Sequence, residues 1–170
     1  HIGYQYATFG NHEFDYGQEN LQRCMNEANF EMLCANMEVN PSIARFEQPK
    51  PYTTIEIDGI QITIIGLVEA SENRTGELLP AAHPARMNGL RFQKPTESAL
   101  KYKHLRKECD LFLALTHIGY LSDIELANAM PELDVIIGGH SHTRIDSTSI
   151  INGVLITQTQ SYLNYIGKTT

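Results

Sequence analysis

The chain has 170 residues, 42% hydrophobic, 19% charged and 8% aromatic, proportions of a globular domain that exclude a disordered tail, a fibre or a low-complexity segment. Thirteen basic against 20 acidic side chains give a formal charge of -7, which argues against nucleic acid polymers held by a broad cationic face. Its three cysteines, Cys24, Cys34 and Cys109, form neither a CxxC pair nor a disulfide framework and read as small buried hydrophobes, and no apolar run reaches the ~20 residues of a membrane span.

The chain opens at His1-Ile2-Gly3-Tyr4 without an initiator Met or signal-peptide zones, so it reads as a piece of a longer protein. After Gly10-Asn11-His12, the stretch from Gln18 to Asn29 sets Leu21, Cys24, Met25 and Ala28 at helical spacing. Phe30 to Ala35 reads as a buried strand ending at Asn36. Tyr52 to Ile57 and Ile60 to Leu67, joined by Asp58-Gly59, form a strong hairpin signal. From Glu69 to Phe92 the pattern dissolves into a polar, Gly- and Pro-bearing surface excursion. Pro95 starts a second helix with Ala99, Tyr102 and Leu105 on one face, and Asp110 to Leu115 is a buried strand with Thr116-His117 at its end. A third helix runs from Ser122 to about Met130, with Asp/Ser capping candidates before it and Pro131 stopping it. Asp134 to Ile137 is another buried strand, leading into Gly138-Gly139-His140-Ser141-His142. Thr148 to Ile156, turning at Asn152-Gly153, and Tyr162 to Lys168 read as antiparallel strands.

The resulting pattern is α/β, and three of its loops carry polar groups after an apolar strand: Asn11-His12, His117 and His140-Ser141-His142. In open α/β sheets, ligands collect at the carboxyl ends of strands, where loops remote in sequence converge. Of seven histidines, His1, His83 and His104 read as solvated or singly hydrogen-bonded, and the other four as functional. The two glycines before the H-x-H pair permit close backbone approach to a ligand. An Asn oxygen beside imidazoles suits zinc, manganese, iron or magnesium better than copper(I). Asn36 is a further candidate to line the site, whereas Arg74, Arg86 and Arg144 read as solvated surface.

Gly10-Asn11-His12-Glu13-Phe14-Asp15-Tyr16-Gly17, Thr116-His117 and Asp134-Val135-Ile136-Ile137-Gly138-Gly139-His140-Ser141-His142-Thr143, in this order, resemble the calcineurin-like metallophosphoesterases, most closely their 5'-nucleotidase and UDP-sugar hydrolase branch. The resemblance implies a four-layer α/β/β/α sandwich with two divalent metal ions, zinc, manganese or similar, bridged by water or hydroxide at the strand tips. It implies that Asn11, His117 and His140 bind one metal and His142 the other. His12, oriented by Asp15, would stabilise charge on the phosphoryl oxygens or protonate the leaving oxygen. The implied reaction is release of phosphate from a 5'-nucleotide by attack of a metal-bound hydroxide, or hydrolysis of another phosphodiester, polyphosphate or sulfur ester. The implied substrate is a small phosphate ester, and the implied location is the periplasm or cell surface.

The chain departs from that family in lacking the Asp-x-His pair and the metal-bridging Gly-Asp expected before Gly10. Residues 1–170 therefore read as a single catalytic domain, incomplete at its N-terminus and without the family's C-terminal substrate-recognition domain. One explanation is an N-terminal segment outside the sequence, which the retained His12, Asp15 and metal-type residues favour. The other is a degenerate, non-catalytic binding module.

Overall fold

The computed structural model describes residues 3–169. Its centre is a six-stranded mixed sheet in the order β11-β12-β10-β9-β5-β4. The strands are β4 (Tyr52–Ile57), β5 (Ile60–Val68), β9 (Leu111–His117), β10 (Val135–Ile137), β11 (Ser149–Ile151) and β12 (Val154–Thr157). The four inner strands are mutually parallel, and hairpins add β4 and β11 antiparallel at the edges. Parallel strands covered on both faces must be apolar on both, so β5 and β9 read as nearly unbroken hydrophobic runs. Each hairpin turns on a pair that tolerates a left-handed backbone, Asp58-Gly59 and Asn152-Gly153, with positive φ at all four residues.

On one face, α2 (Pro95–Leu100) and α3 (Tyr120–Ala129) bury a cluster built on Ile65, Leu67, Phe112, Leu126, Ile136 and Ile156. Across the opposite face lies the short parallel pair β1 (Tyr6–Thr8) and β2 (Glu31–Leu33), and β5 approaches β2 so closely that a Cβ on Gly66 would lie 2.3 Å from the Leu33 carbonyl oxygen. Beyond that pair, α1 (Gln18–Glu27) contributes Leu21 and Met25 to a second cluster with Phe9, Phe14, Cys34 and Phe92. Helices, main sheet, short sheet and α1 thus stack in the α/β/β/α sense.

Several expectations need correction. Residues 69–92 are not featureless: β6 (Ser71–Glu72) pairs with β7 (Leu78–Leu79), and β8 (Leu90–Phe92) pairs antiparallel with β3 (Met37–Val39). The helix begun at Pro95 ends at Leu100, and a tighter 3-10 turn over Lys103–Glu108 buries Leu105. Helix α3 starts two residues early, at Tyr120 behind Gly119, with no side-chain cap of its own. The stretch from Tyr162 to Lys168 forms no strand, because positive φ at Gln160, Tyr162 and Leu163 breaks the pleat. Two of the three cysteines are at least partly buried, but Cys24 is exposed. No helix among the described residues is long and apolar enough to cross a membrane.

Candidate active site

The polar loops meet at one end of the molecule. Asn11 opens a 3-10 turn after β1, His117 is the last residue of β9, and His140 and His142 sit in the loop after β10. Asn11 is buried and oriented at both ends: its Nδ2 donates to the Ala81 carbonyl at 3.0 Å, and its Oδ1 accepts from His117 Nε2 at 3.2 Å. The His117 ring is wedged between glycines of the two motifs. A Cβ on Gly10 would stand 2.9 Å from its Nε2, and one on Gly139 would stand 3.1 Å from its Nδ1. Any side chain at either position would push the imidazole out of place. The Gly10 amide in turn donates to Glu13 Oε2 at 2.6 Å.

His140 stacks edge-on to His117 with ring centroids 5.1 Å apart. Burial, reinforced by repulsion from His140, His12 and His142, pushes the His117 pKa down to about 4. The ring is therefore neutral at physiological pH, the form in which imidazole serves as a ligand. His12, His140 and His142 thus each lie within electrostatic reach of His117. His12 Nδ1–H donates to Asp15 Oδ2 at 2.8 Å, which fixes one tautomer and leaves Nε2 free on a largely solvent-facing side chain.

Both H-x-H histidines adopt left-handed backbone, φ 76° at His140 and φ 53° at His142, a conformation costing of order 1–3 kcal/mol per non-glycine residue. The loop that pays this strain is tied down by groups that the motif alone does not reveal. Ser141 Oγ accepts from the Tyr120 amide at 3.0 Å, serving as the missing cap of α3. Gln158, two per cent exposed just beyond β12, contacts the loop through both ends of its carboxamide. Asp123 on α3 is fully buried, accepts from Thr116 Oγ1 at 2.6 Å, and has an Oδ2 with no hydrogen-bond partner. Burial raises its pKa to about 6. Sequence offers little signal for Gln158 or Asp123, since neither belongs to a recognisable motif.

Other candidates fall away from the site. Asn36 does not line it: its carboxamide is used up by the Val68 amide and carbonyl and the Gln93 carbonyl, inside the fold. Arg144 pairs with Asp146 and lies over Tyr165, 4.3 Å from the ring centroid. His83 accepts from the Ala85 amide and His104 meets the Lys101 carbonyl, singly bonded as expected, while His1 lies outside the described residues.

Asn11 Oδ1 and His117 Nε2 point at one spot, and a cation there would replace the proton that now joins them. The donor types, carboxamide oxygen and neutral imidazole, fit one divalent ion. They do not amount to a preformed cage, because among the described residues no three His, Cys, Asp or Glu side chains are grouped to hold a metal. The two carboxylates of the first loop are already engaged, Asp15 by His12 and Glu13 by Gly10.

No family model matches the chain. It is 31% identical over 199 residues to the 5'-nucleotidase of Vibrio cholerae, across 98% of this chain and 34% of that protein. Among solved structures, the 5'-nucleotidase precursor of Thermus thermophilus superposes with a TM-score of 0.74 at 30% identity, over 91% of this chain and 32% of that one. The calcineurin-like phosphoesterase YfkN of Bacillus subtilis does so with a TM-score of 0.72 at 23% identity, over 92% and 54%. The chain spans only 13% to 35% of the length of the first curated relatives it matches.

Proposed function

We propose that this chain, whose homologues and structural neighbours are 5'-nucleotidases and calcineurin-like phosphoesterases, is part of a metal-dependent hydrolase that releases phosphate from nucleotides. The observation that carries the reading is the meeting of Asn11 and His117 at 3.2 Å, with His140 beside them, at the carboxyl ends of parallel strands. Asn11, His117 and His140 hold one divalent cation, zinc or manganese, and His142 contributes to a second whose remaining ligands are not among the described residues. A cation held there supplies a Lewis acid for the phosphoryl group and offsets the acidity of a chain with a formal charge of -7.

His12 is the catalytic imidazole. Its Nε2 faces solvent while Asp15 accepts from Nδ1–H, so the ring as an imidazolium, a form the Asp15 carboxylate stabilises, can donate from Nε2 to an equatorial phosphoryl oxygen or give that proton to the departing ester oxygen and return to the neutral Nδ1–H tautomer. The substrate is a small nucleotide ester, and the Haemophilus influenzae relative, named as an NAD 5'-nucleotidase, belongs to the same chemical class. A periplasmic or cell-surface setting goes with this reading, the Thermus relative being described as a precursor. The test is metal content together with phosphate release from AMP and UDP-glucose, before and after chelation. Release that persists unchanged in chelator removes the metal from the proposal.

A second reading, a non-catalytic binding module, is favoured by the absence of a preformed three-ligand cluster among the described residues. It predicts no phosphate release from either ester with any divalent ion.

A further inference from the structure

We propose that Gln158 is the positioning residue of the H-x-H loop, holding His140 and His142 in their strained backbone through three hydrogen bonds from one buried carboxamide. The inference rests on the reading of those histidines as site residues. Gln158 Oε1 accepts from the Thr143 amide at 2.6 Å and from Ser141 Oγ at 2.9 Å, and its Nε2 donates to the Gly139 carbonyl at 2.8 Å. The Thr143 amide is an obligate donor and the Gly139 carbonyl an obligate acceptor, so the carboxamide has one orientation and no flipped alternative. These partners bracket the two histidines on both sides and between them.

The backbone supplies the second observation. Non-glycine residues in the left-handed region persist only where their surroundings over-determine them. His140 and His142 are both in that region, with Ser141 alone between them. Within the loop the main chain offers just the short Ser141-to-Gly139 contact, and the segment around Gln158 adds Gly138 N to the Thr157 carbonyl at 2.7 Å, Gln160 N to the Thr143 carbonyl at 3.0 Å and Ile145 N to the Gln158 carbonyl at 3.1 Å, none of which reaches the span from His140 to His142. Gly138 completes the fit, since a Cβ there would lie 3.2 Å from Gln158 Nε2. Ser141 extends the tie to the Tyr120 amide, just past His117 in the chain, so one glutamine registers the tip of β10 against the tip of β9.

The test uses Gln158→Met, which fills similar space without hydrogen-bonding capacity, and Gln158→Asn, which keeps the groups but shortens their reach. Amide hydrogen exchange in the metal-free protein is the first readout. Exchange at Ser141 and Thr143 should accelerate at least 10-fold while Leu113 and Ile136 in the neighbouring strands keep their protection. Zinc titration calorimetry is the second, with affinity expected to fall roughly 10–100-fold, the range for residues that orient ligands. Unchanged exchange at Thr143 in a folded variant overturns the proposal, and so does a Thr143 amide already unprotected in the unsubstituted protein. If the unsubstituted protein binds no zinc, the metal reading fails, while exchange still decides the role of Gln158.

Discussion

Asn11 and His117 stand 106 positions apart in the chain, yet the carboxamide oxygen of one accepts a hydrogen bond from the imidazole of the other at 3.2 Å. The contact exists because β1 and β9 end at the same edge of the fold and because Gly10 and Gly139 leave the His117 ring room between them. Replacing His117 by Ala should abolish zinc or manganese binding in calorimetry while the circular dichroism spectrum is retained. Asn11→Ala should weaken binding by at least about 10-fold, since one oxygen donor is lost and the imidazole loses its orienting partner. Unchanged affinity in His117→Ala would place the cation elsewhere.

His12 has a different assignment and so a different signature. Its bond to Asp15 uses the nitrogen that faces the protein, and the outward nitrogen is free for substrate. His12→Ala should keep the metal content of the unsubstituted protein and lower kcat for AMP by roughly 10²–10⁴-fold, the usual worth of a proton-transferring side chain. Asp15→Asn should fall between the two, because the imidazole remains but its tautomer is no longer enforced. Metal loss in His12→Ala would show that the division of roles is wrong.

The main sheet was legible in the sequence because its determinants are local: apolar runs for the buried parallel strands, and Asp58-Gly59 and Asn152-Gly153 for the hairpins. The motif glycines were legible too, although only the structure shows that two of them clasp His117. Residues 69–92 were misread because β6, β7 and β8 are two or three residues long, too short for a periodicity, and β8 finds its partner in distant β3. The supports of the site were invisible for another reason. Gln158 and Asp123 look in sequence like any polar residue at a strand end or on a helix, and only burial makes their hydrogen bonds decisive.

Asp123, fully buried, and His117, partly buried, make opposing demands on pH near the site. Asp123 has its pKa raised to about 6, so the folded state keeps that proton longer than the unfolded chain, and unfolding free energy falls as pH rises from about 4 to 6. His117 has its pKa lowered to about 4, so the unfolded chain holds more protons there between about 4 and 6.5, and unfolding free energy rises with pH over that window. The Asp123 shift of about two pKa units corresponds to about 3 kcal/mol at most, while solvent screening at the partly open His117 ring leaves its opposing slope the smaller of the two. Asp123→Asn removes only the falling one, since the Thr116 hydroxyl can accept from an amide as well as donate to a carboxylate. Urea melts of the metal-free Asp123→Asn protein should therefore gain about 1–2 kcal/mol between pH 4 and 6.5, whereas the unsubstituted protein should stay flat or lose stability over that range. The same profile in both would mean that Asp123 is not held protonated by burial.

Gly138 tests the packing behind the H-x-H loop directly. Its φ lies outside the left-handed region, so the backbone itself would accept alanine, but the added Cβ would stand 2.3 Å from Asp123 Oδ2. The carboxylate cannot retreat far, being fully buried and tied to Thr116. Gly138→Ala should cost about 1–3 kcal/mol in urea melts, the usual range for overpacking a close contact. Asp123→Ala empties the space that the new methyl group needs. In the double variant the Gly138→Ala penalty should thus shrink by at least about 1 kcal/mol, a coupling well above the scatter expected for independent sites. Strictly additive losses would mean that the glycine is required by something other than the carboxylate beneath it.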